Sequence, residues 1–315
     1  MMSACLSAPR RFETVEVERL EPGPSEVRVR LRGCGICASN ISLWEGRTWF
    51  QYPQPAGSPG HEGWGDVDAL GKDVEALSPG DPVALLSSRA FSQYDVAPAD
   101  CVVRLPPQLE GRPFPGEPLS CAINIFARAA IEPGQDVAVV GAGFLGLLLI
   151  QLISEAGARV VAISRRQSSL SLAKRYGARE IVQMSDESAE AAQRLAGAKG
   201  FERVIEAAGS QQALDIASAL IGERGRLVIA SYHQDGLRQV NLQQWNWRGI
   251  DVINAHERQP RVYIEGMRKA IQAVCDERLD PWPLLTHRFP LTCINDACKI
   301  MVQRPDGFVK ALVET

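Results

Sequence analysis

The longest apolar run of the chain, residues 137–150, is broken three times by glycine, at Gly141, Gly143 and Gly146. It falls short of the roughly 20 apolar residues a membrane-spanning helix needs, so a span is excluded. Residues 136–140 read as a buried strand and 144–156 as a helix. Between them, Gly141-Ala142-Gly143-Phe144-Leu145-Gly146 fits G-x-G-x-x-G in the context that gives the pattern meaning, after a strand and at the start of a helix. Without Cβ atoms the backbone can turn tightly and approach a pyrophosphate at the helix N-terminus. Gly141, Gly143, Phe144, Leu145 and Gly146 are therefore candidate nucleotide-binding residues. An ordinary strand–helix turn is the competing reading.

The surrounding pattern divides the chain by the period of its apolar residues. From 13 to 113 it reads as β-rich. Val27-Arg28-Val29-Arg30-Leu31 alternates apolar and charged side chains, and Val67, 83–86 and 101–103 are similar short pieces separated by Pro and Gly clusters. Such a region predicts a compact barrel with functional loops. A helix is expected at 118–130, with Pro118 at its start. Strands at 136–140, 159–163, 181–182, 203–207, 225–230 and 251–254 then alternate with helices at 144–156, 168–176, 187–198 and 211–220. Strands with helical crossovers form a doubly wound parallel sheet. The tail carries one helix near 294–302 and a last strand at 308–313 that returns to the first domain. The expected domains are 1–120, completed by 281–315, and a Rossmann unit over 121–280. A length of 315 residues suits two domains.

Composition removes several function classes. Lys plus Arg is 34 and Asp plus Glu is 37, a net charge of −3, which argues against nucleic-acid and polybasic membrane partners. Hydrophobic content of 45% and charged content of 23% exclude wholesale disorder. Eight cysteines at irregular spacing do not read as a disulfide framework. With no secretory signal evident in residues 1–13, reduced thiols and a cytoplasmic location are expected.

At the end of the second strand of this unit an NAD site would carry an acid for the ribose 2′-hydroxyl. The chain has Ser164-Arg165-Arg166 there. Two guanidinium groups and a hydroxyl suit a 2′-phosphate, so NADP(H) is expected over NAD(H). The competing reading is a solvated face at a helix start. In the first domain, Cys37, His61 and Glu62 offer a thiolate, an imidazole and a carboxylate, a set suited to a catalytic zinc with an open position, and Glu117 is a further acid.

With these residues in place the chain resembles a zinc-dependent medium-chain dehydrogenase/reductase, in motif style the polyol (sorbitol) and threonine dehydrogenase branch. The resemblance rests on Gly33-Cys34-Gly35-Ile36-Cys37, Gly60-His61-Glu62-Gly63, Pro79-Gly80-Asp81, Glu117-Pro118-Leu119-Ser120 and the Gly141 loop. It implies a GroES-like β-rich catalytic domain plus a Rossmann domain, with zinc held by Cys37, His61 and either Glu62 or Glu117. It also implies Ser39 as the hydroxyl that relays the alcohol proton. The expected reaction is hydride transfer between NADP(H) and a secondary alcohol or ketone of polyol, sugar or amino-alcohol type, by a homodimer or homotetramer. A zinc-free quinone or enoyl reductase of the same superfamily and a non-catalytic NADPH-binding relative are the alternatives.

Three departures stand out. Asn40 occupies a position where the family usually has an aspartate supporting the zinc-binding histidine. Ser42 stands where a terminal relay histidine is expected. Residues 85–91 contain no cysteine, so one zinc per chain is expected rather than two. Tyr232-His233 and residues 254–257 follow the fifth and sixth Rossmann strands, where ligands sit, and are candidates to line a substrate pocket with Trp44, Trp49 and Phe50. For Trp245 and Trp247 a core or interface role is an equal reading.

Overall fold

The computed structural model describes residues 1–185 and 188–315, which separate by contacts into two compact units. One unit comprises 1–120, 259–276 and 281–315, and the other 121–258 and 277–280. The expected division, with all of 121–280 in the second unit, differs at 259–276.

The first unit opens with β1 (Met2–Ala8) and β2 (Arg11–Glu16), an antiparallel pair. β3 (Glu26–Gly35) follows, then α1 (Ala38–Glu45), β4 (Glu62–Leu70), β5 (Pro82–Leu85), β6 (Tyr94–Pro98), β7 (Val102–Arg104) and α2 (Gly116–Ala129), within which the division falls. β3 is the spine. One edge pairs with β4 along its length, while the other holds β6 over Glu26–Arg30 and the C-terminal strand over Gly33–Gly35. Val27, Val29 and Leu31 are buried, as their alternation predicts. Cys34 and Cys298 lie in the same core. All eight cysteines are free thiols.

β1 and α1 correct the sequence reading, which gave residues 1–13 no strand and read 13–113 as β-rich throughout. Residues 38–45 carry no strong helix signature, but Asn40 Oδ1 accepts from the Cys37 amide at 2.9 Å. At the other end Gly46 takes a left-handed conformation with φ 86°.

The second unit runs β8 (Asp136–Val140), α3 (Phe144–Glu155), β9 (Arg159–Ser164), α4 (Gln167–Arg175), β10 (Glu180–Gln183), α5 (Ser188–Ala196), β11 (Phe201–Glu206), α6 (Gln211–Leu220), β12 (Ile221–Ile229), α7 (Leu242–Arg248) and β13 (Asp251–Asn254). Six parallel strands lie in the order β10-β9-β8-β11-β12-β13, the expected doubly wound sheet. Glu187, in the helix expected at 187–198, lies outside the described residues. α7 was not anticipated; Asn241 caps its start and Gly249, at φ 59°, its end.

The chain then adds α8 (Pro260–Cys275), β14 (His287–Pro290), α9 (Ile294–Gln303) and β15 (Ala311–Glu314) to the first unit. α8 is amphipathic and packs against β7 and the turn at 99–101, which accounts for 259–276 joining that unit. β15 pairs antiparallel with β3 and is the returning strand the sequence predicts, starting at Ala311 rather than 308. Among the described residues no helix is long and apolar enough to cross a membrane.

Candidate active site

Three donors converge in the first unit. Cys37 stands between β3 and α1, and His61 and Glu62 at the start of β4. The Cys37 Sγ, a ring nitrogen of His61 and a carboxylate oxygen of Glu62 all lie within 4.8 Å of one another. Zinc bonds of about 2.0–2.3 Å place tetrahedral ligand atoms roughly 3.3–3.8 Å apart, so small side-chain adjustments close the set. The sheet register accounts for the meeting, because Gly35 pairs with Glu62 across β3 and β4. A Cβ on Gly35 would fall 1.9 Å from Glu62 Oε2, so glycine there makes room for the carboxylate.

His61 is oriented by backbone. Its Nδ1 lies 2.9 Å from the Pro59 carbonyl oxygen. A carbonyl only accepts, so Nδ1 carries the proton and Nε2 is left as a ligand atom. Asn40 Nδ2 donates to the same oxygen at 3.1 Å. The amide at position 40 therefore supports the histidine through Pro59, and it also braces the Cys37 amide. Burial alone would lower the His61 imidazole, but the hydrogen bond to Cys37 and the charges of Cys37, Glu117 and Glu62 outweigh it and push it up to about 10.

Glu62 is fully buried. Its Oε1 accepts from Lys310 Nζ at 2.6 Å, while Oε2 has no hydrogen-bond partner among the described residues. A buried carboxylate that keeps one oxygen without a donor, in a cluster with a thiol and an imidazole, fits a cation. Lys310, itself buried, was missed in the sequence. It precedes β15, and the Ile36 amide donates to Ala311 at 3.0 Å, so the tail carries Lys310 to the cluster. Burial would lower its ammonium, but Glu62 foremost, then Cys37, raises it.

Glu117 sits in the first turn of α2, and its charge acts on both His61 and Lys310. It is not among the three converging ligand groups. Ser39 is half-buried in the first turn of α1, two residues beyond Cys37. Ser42 is buried on the same helix. Burial, then Glu62, pushes the Cys34 thiol well up, so Cys34 is a core thiol rather than a redox partner of Cys37.

The second unit carries the glycine loop as predicted. Gly141 has φ 111°, and a Cβ there would fall 2.8 Å from the Ala207 backbone. A Cβ on Gly146 would fall 1.8 Å from the Gly141 oxygen, so α3 packs directly on the turn. Gly143 differs: among the described residues nothing lies within 4 Å of the Cβ position, leaving open space at the N-terminus of α3. That open approach to the helix N-terminus fits a pyrophosphate. Phe144 is buried and Leu145 half-buried in the first turn of α3. Ser164 is buried at the end of β9, Arg165 is exposed, and Arg166 occupies the N-cap position of α4 without a side-chain capping bond. Tyr232 and His256 stack with ring centroids 5.8 Å apart. Trp245 packs against the core of this unit, Trp247 is exposed, Trp44 is buried in the first unit, and Trp49 and Phe50 pair at 5.9 Å.

Two family models match the chain: an alcohol dehydrogenase GroES-like domain over residues 23–107 and a zinc-binding dehydrogenase over 145–273. Sorbitol dehydrogenase of Ovis aries is 29% identical over 307 residues, covering 86% of this chain and 84% of that protein. A short chain alcohol dehydrogenase from Escherichia coli CFT073, complexed with NADH, superposes with a TM-score of 0.88 at 23% identity, over 100% of this chain and 99% of that one. A zinc-binding dehydrogenase from Sinorhizobium meliloti 1021 bound to NADP superposes with a TM-score of 0.85 at 24% identity, again over 100% and 99%. At those identities the likeness to the two structures is one of fold.

Proposed function

Because this chain belongs to the zinc-type medium-chain dehydrogenase/reductase family, we propose that it transfers a hydride between NADP(H) and the carbinol carbon of a secondary alcohol, or the corresponding ketone. It is an alcohol dehydrogenase-type oxidoreductase. The observation that carries the reading is the convergence of Cys37, His61 and Glu62, the last with an oxygen, Oε2, that has no hydrogen-bond partner among the described residues. A zinc ion held there would supply Lewis-acid activation of the substrate oxygen. Cys37 would contribute a thiolate, His61 its Nε2 and Glu62 its carboxylate, with Glu117 a further acid whose charge reaches His61. Lys310 holds the other Glu62 oxygen and balances its charge.

Ser39, two residues after Cys37 in the first turn of α1, would relay the alcohol proton, accepting it while its own hydroxyl proton passes to water or the cofactor ribose. A bound nicotinamide would serve as the hydride acceptor or donor, and the chain's own contribution is position and electrostatics. Support for NADP(H) comes from Ser164, Arg165 and Arg166 in place of an acid after β9. A polyol is the substrate class favoured by the likeness to sorbitol dehydrogenase, and a sugar or amino alcohol by the resemblance to the polyol and threonine dehydrogenase branch. The Cys37–His61–Glu62 set favours this reading over a zinc-free reductase or a non-catalytic relative.

Metal analysis with a substrate screen followed by NADPH absorbance tests it. About one zinc per chain, lost in Cys37→Ala, and turnover of a secondary alcohol or ketone are expected. No zinc uptake, or turnover that survives Cys37→Ala, would refute the assignment.

A further inference from the structure

A buried polar relay lies at the carboxyl edge of the Rossmann sheet. Glu206, the last residue of β11, is fully buried. Its Oε1 accepts from the amides of Ala208 and Gly209, each at 2.8 Å. Its Oε2 accepts from the Ser231 hydroxyl and from His233 Nε2, the latter at 2.9 Å. His233 Nδ1 lies 2.8 Å from Arg238 Nε. A guanidinium only donates, so Nδ1 accepts and Nε2 carries the proton given to Glu206. Arg238 also donates to the Gly209 carbonyl at 2.8 Å and pairs with Asp235. Both oxygens of the buried carboxylate are engaged twice, and a fully satisfied buried network is rigid.

The relay joins two irregular segments. One is the turn at 207–209, which packs against Gly141 of the glycine loop. The other is 231–238, after β12. Ser231 and His233 both turn toward Glu206, which leaves Tyr232, between them, 61% exposed and stacked on His256. Strand order fixes what these segments would border. The glycine loop follows β8, and the candidate 2′-phosphate residues follow β9 on one side. A dinucleotide with its pyrophosphate at the glycine loop and its adenosine toward β9 extends its other half over β11 and β12, where both segments stand.

We propose that Glu206, His233 and Arg238 form a positioning relay that shapes the bed for the nicotinamide half of the cofactor. The proposal rests on the nucleotide site described above. None of the three needs to touch the cofactor; they act by holding 231–238 against 207–209.

Equilibrium titration of the full chain with NADPH and with ADP-ribose 2′-phosphate, which lacks nicotinamide, tests it. His233→Phe should weaken NADPH about tenfold, the scale of one lost net hydrogen bond, and leave ADP-ribose 2′-phosphate within about twofold. His233→Gln should restore NADPH binding, because its amide can accept from Arg238 and donate to Glu206. Arg238→Met, at a less buried position, should show the same split between probes. Equal weakening of both probes, or of neither, overturns the relay. If the wild-type chain binds neither NADPH nor NADH, the nucleotide reading itself fails. If NADH binds more tightly than NADPH, the same comparison is made with NADH and ADP-ribose, and the same outcomes decide.

Discussion

Lys310→Met keeps most of the side-chain volume and removes the charge that Glu62 faces. The two side chains are 4% and 0% exposed and 2.6 Å apart, so solvent screens little of their interaction. Taking away one partner of a buried pair costs about 3–5 kcal/mol, because the other charge is left uncompensated. At a urea slope of about 3 kcal/mol per molar, that lowers the midpoint by about 1–1.7 M. Tryptophan fluorescence suits the assay, since Trp44, Trp49, Trp64 and Trp282 lie in the first unit and only Trp245 and Trp247 in the second. The loss should be largest in metal-free protein and smaller with zinc, which faces the same carboxylate with positive charge. Zinc should therefore stabilise the variant more than it stabilises wild type. Glu62→Gln combined with Lys310→Met should regain most of the metal-free stability, since neither charge is then left alone. A metal-free Lys310→Met chain within about 1 kcal/mol of wild type, or a double variant no better than the single one, would show that the pair is not the buried charge couple argued here.

His61 rises from 6.5 to about 10, so in metal-free protein its contribution to stability is complete below pH 6.5 and is lost as pH climbs toward 10. Urea midpoints that rise over that window contradict this, and zinc affinity should increase across it, because metal displaces the proton. Gly35→Ala would push a Cβ onto Glu62 Oε2 and should weaken zinc retention about tenfold or more while leaving nucleotide titrations unchanged. Arg165→Glu should shift preference toward NADH, since charge-assisted phosphate contacts contribute about 1.5–3 kcal/mol when well shielded and less at an exposed site; tighter NADH binding by the wild type would remove the basis for it. Ser39→Ala should keep zinc and cofactor and lose about 10²–10⁴-fold in turnover, and near-normal turnover would take Ser39 out of the proton path.

The parallel sheet and the glycine loop could be read directly because their causes are local. A buried strand, a turn that excludes Cβ and an apolar helix leave their pattern within about twenty residues. Cys37, His61 and Glu62 were readable as residue types and motifs, but their meeting depends on the β3–β4 register that sets Gly35 opposite Glu62. α1 was hidden because its start depends on Asn40 folding back to the Cys37 amide rather than on apolar period. Residues 259–276 joined the first unit through the packing of α8, which strand and helix alternation does not reveal. Lys310 was beyond sequence reasoning altogether. It lies 248 positions from Glu62, in a tail without motif, and only the pairing of β15 with β3 brings its ammonium to the carboxylate. The Glu206–His233–Arg238 relay is likewise made by loops that follow different strands. Periodicity and turn chemistry are written along the chain, whereas an ion pair or a shared hydrogen-bond acceptor is a distance between remote segments, and it exists only once the sheets have set their register.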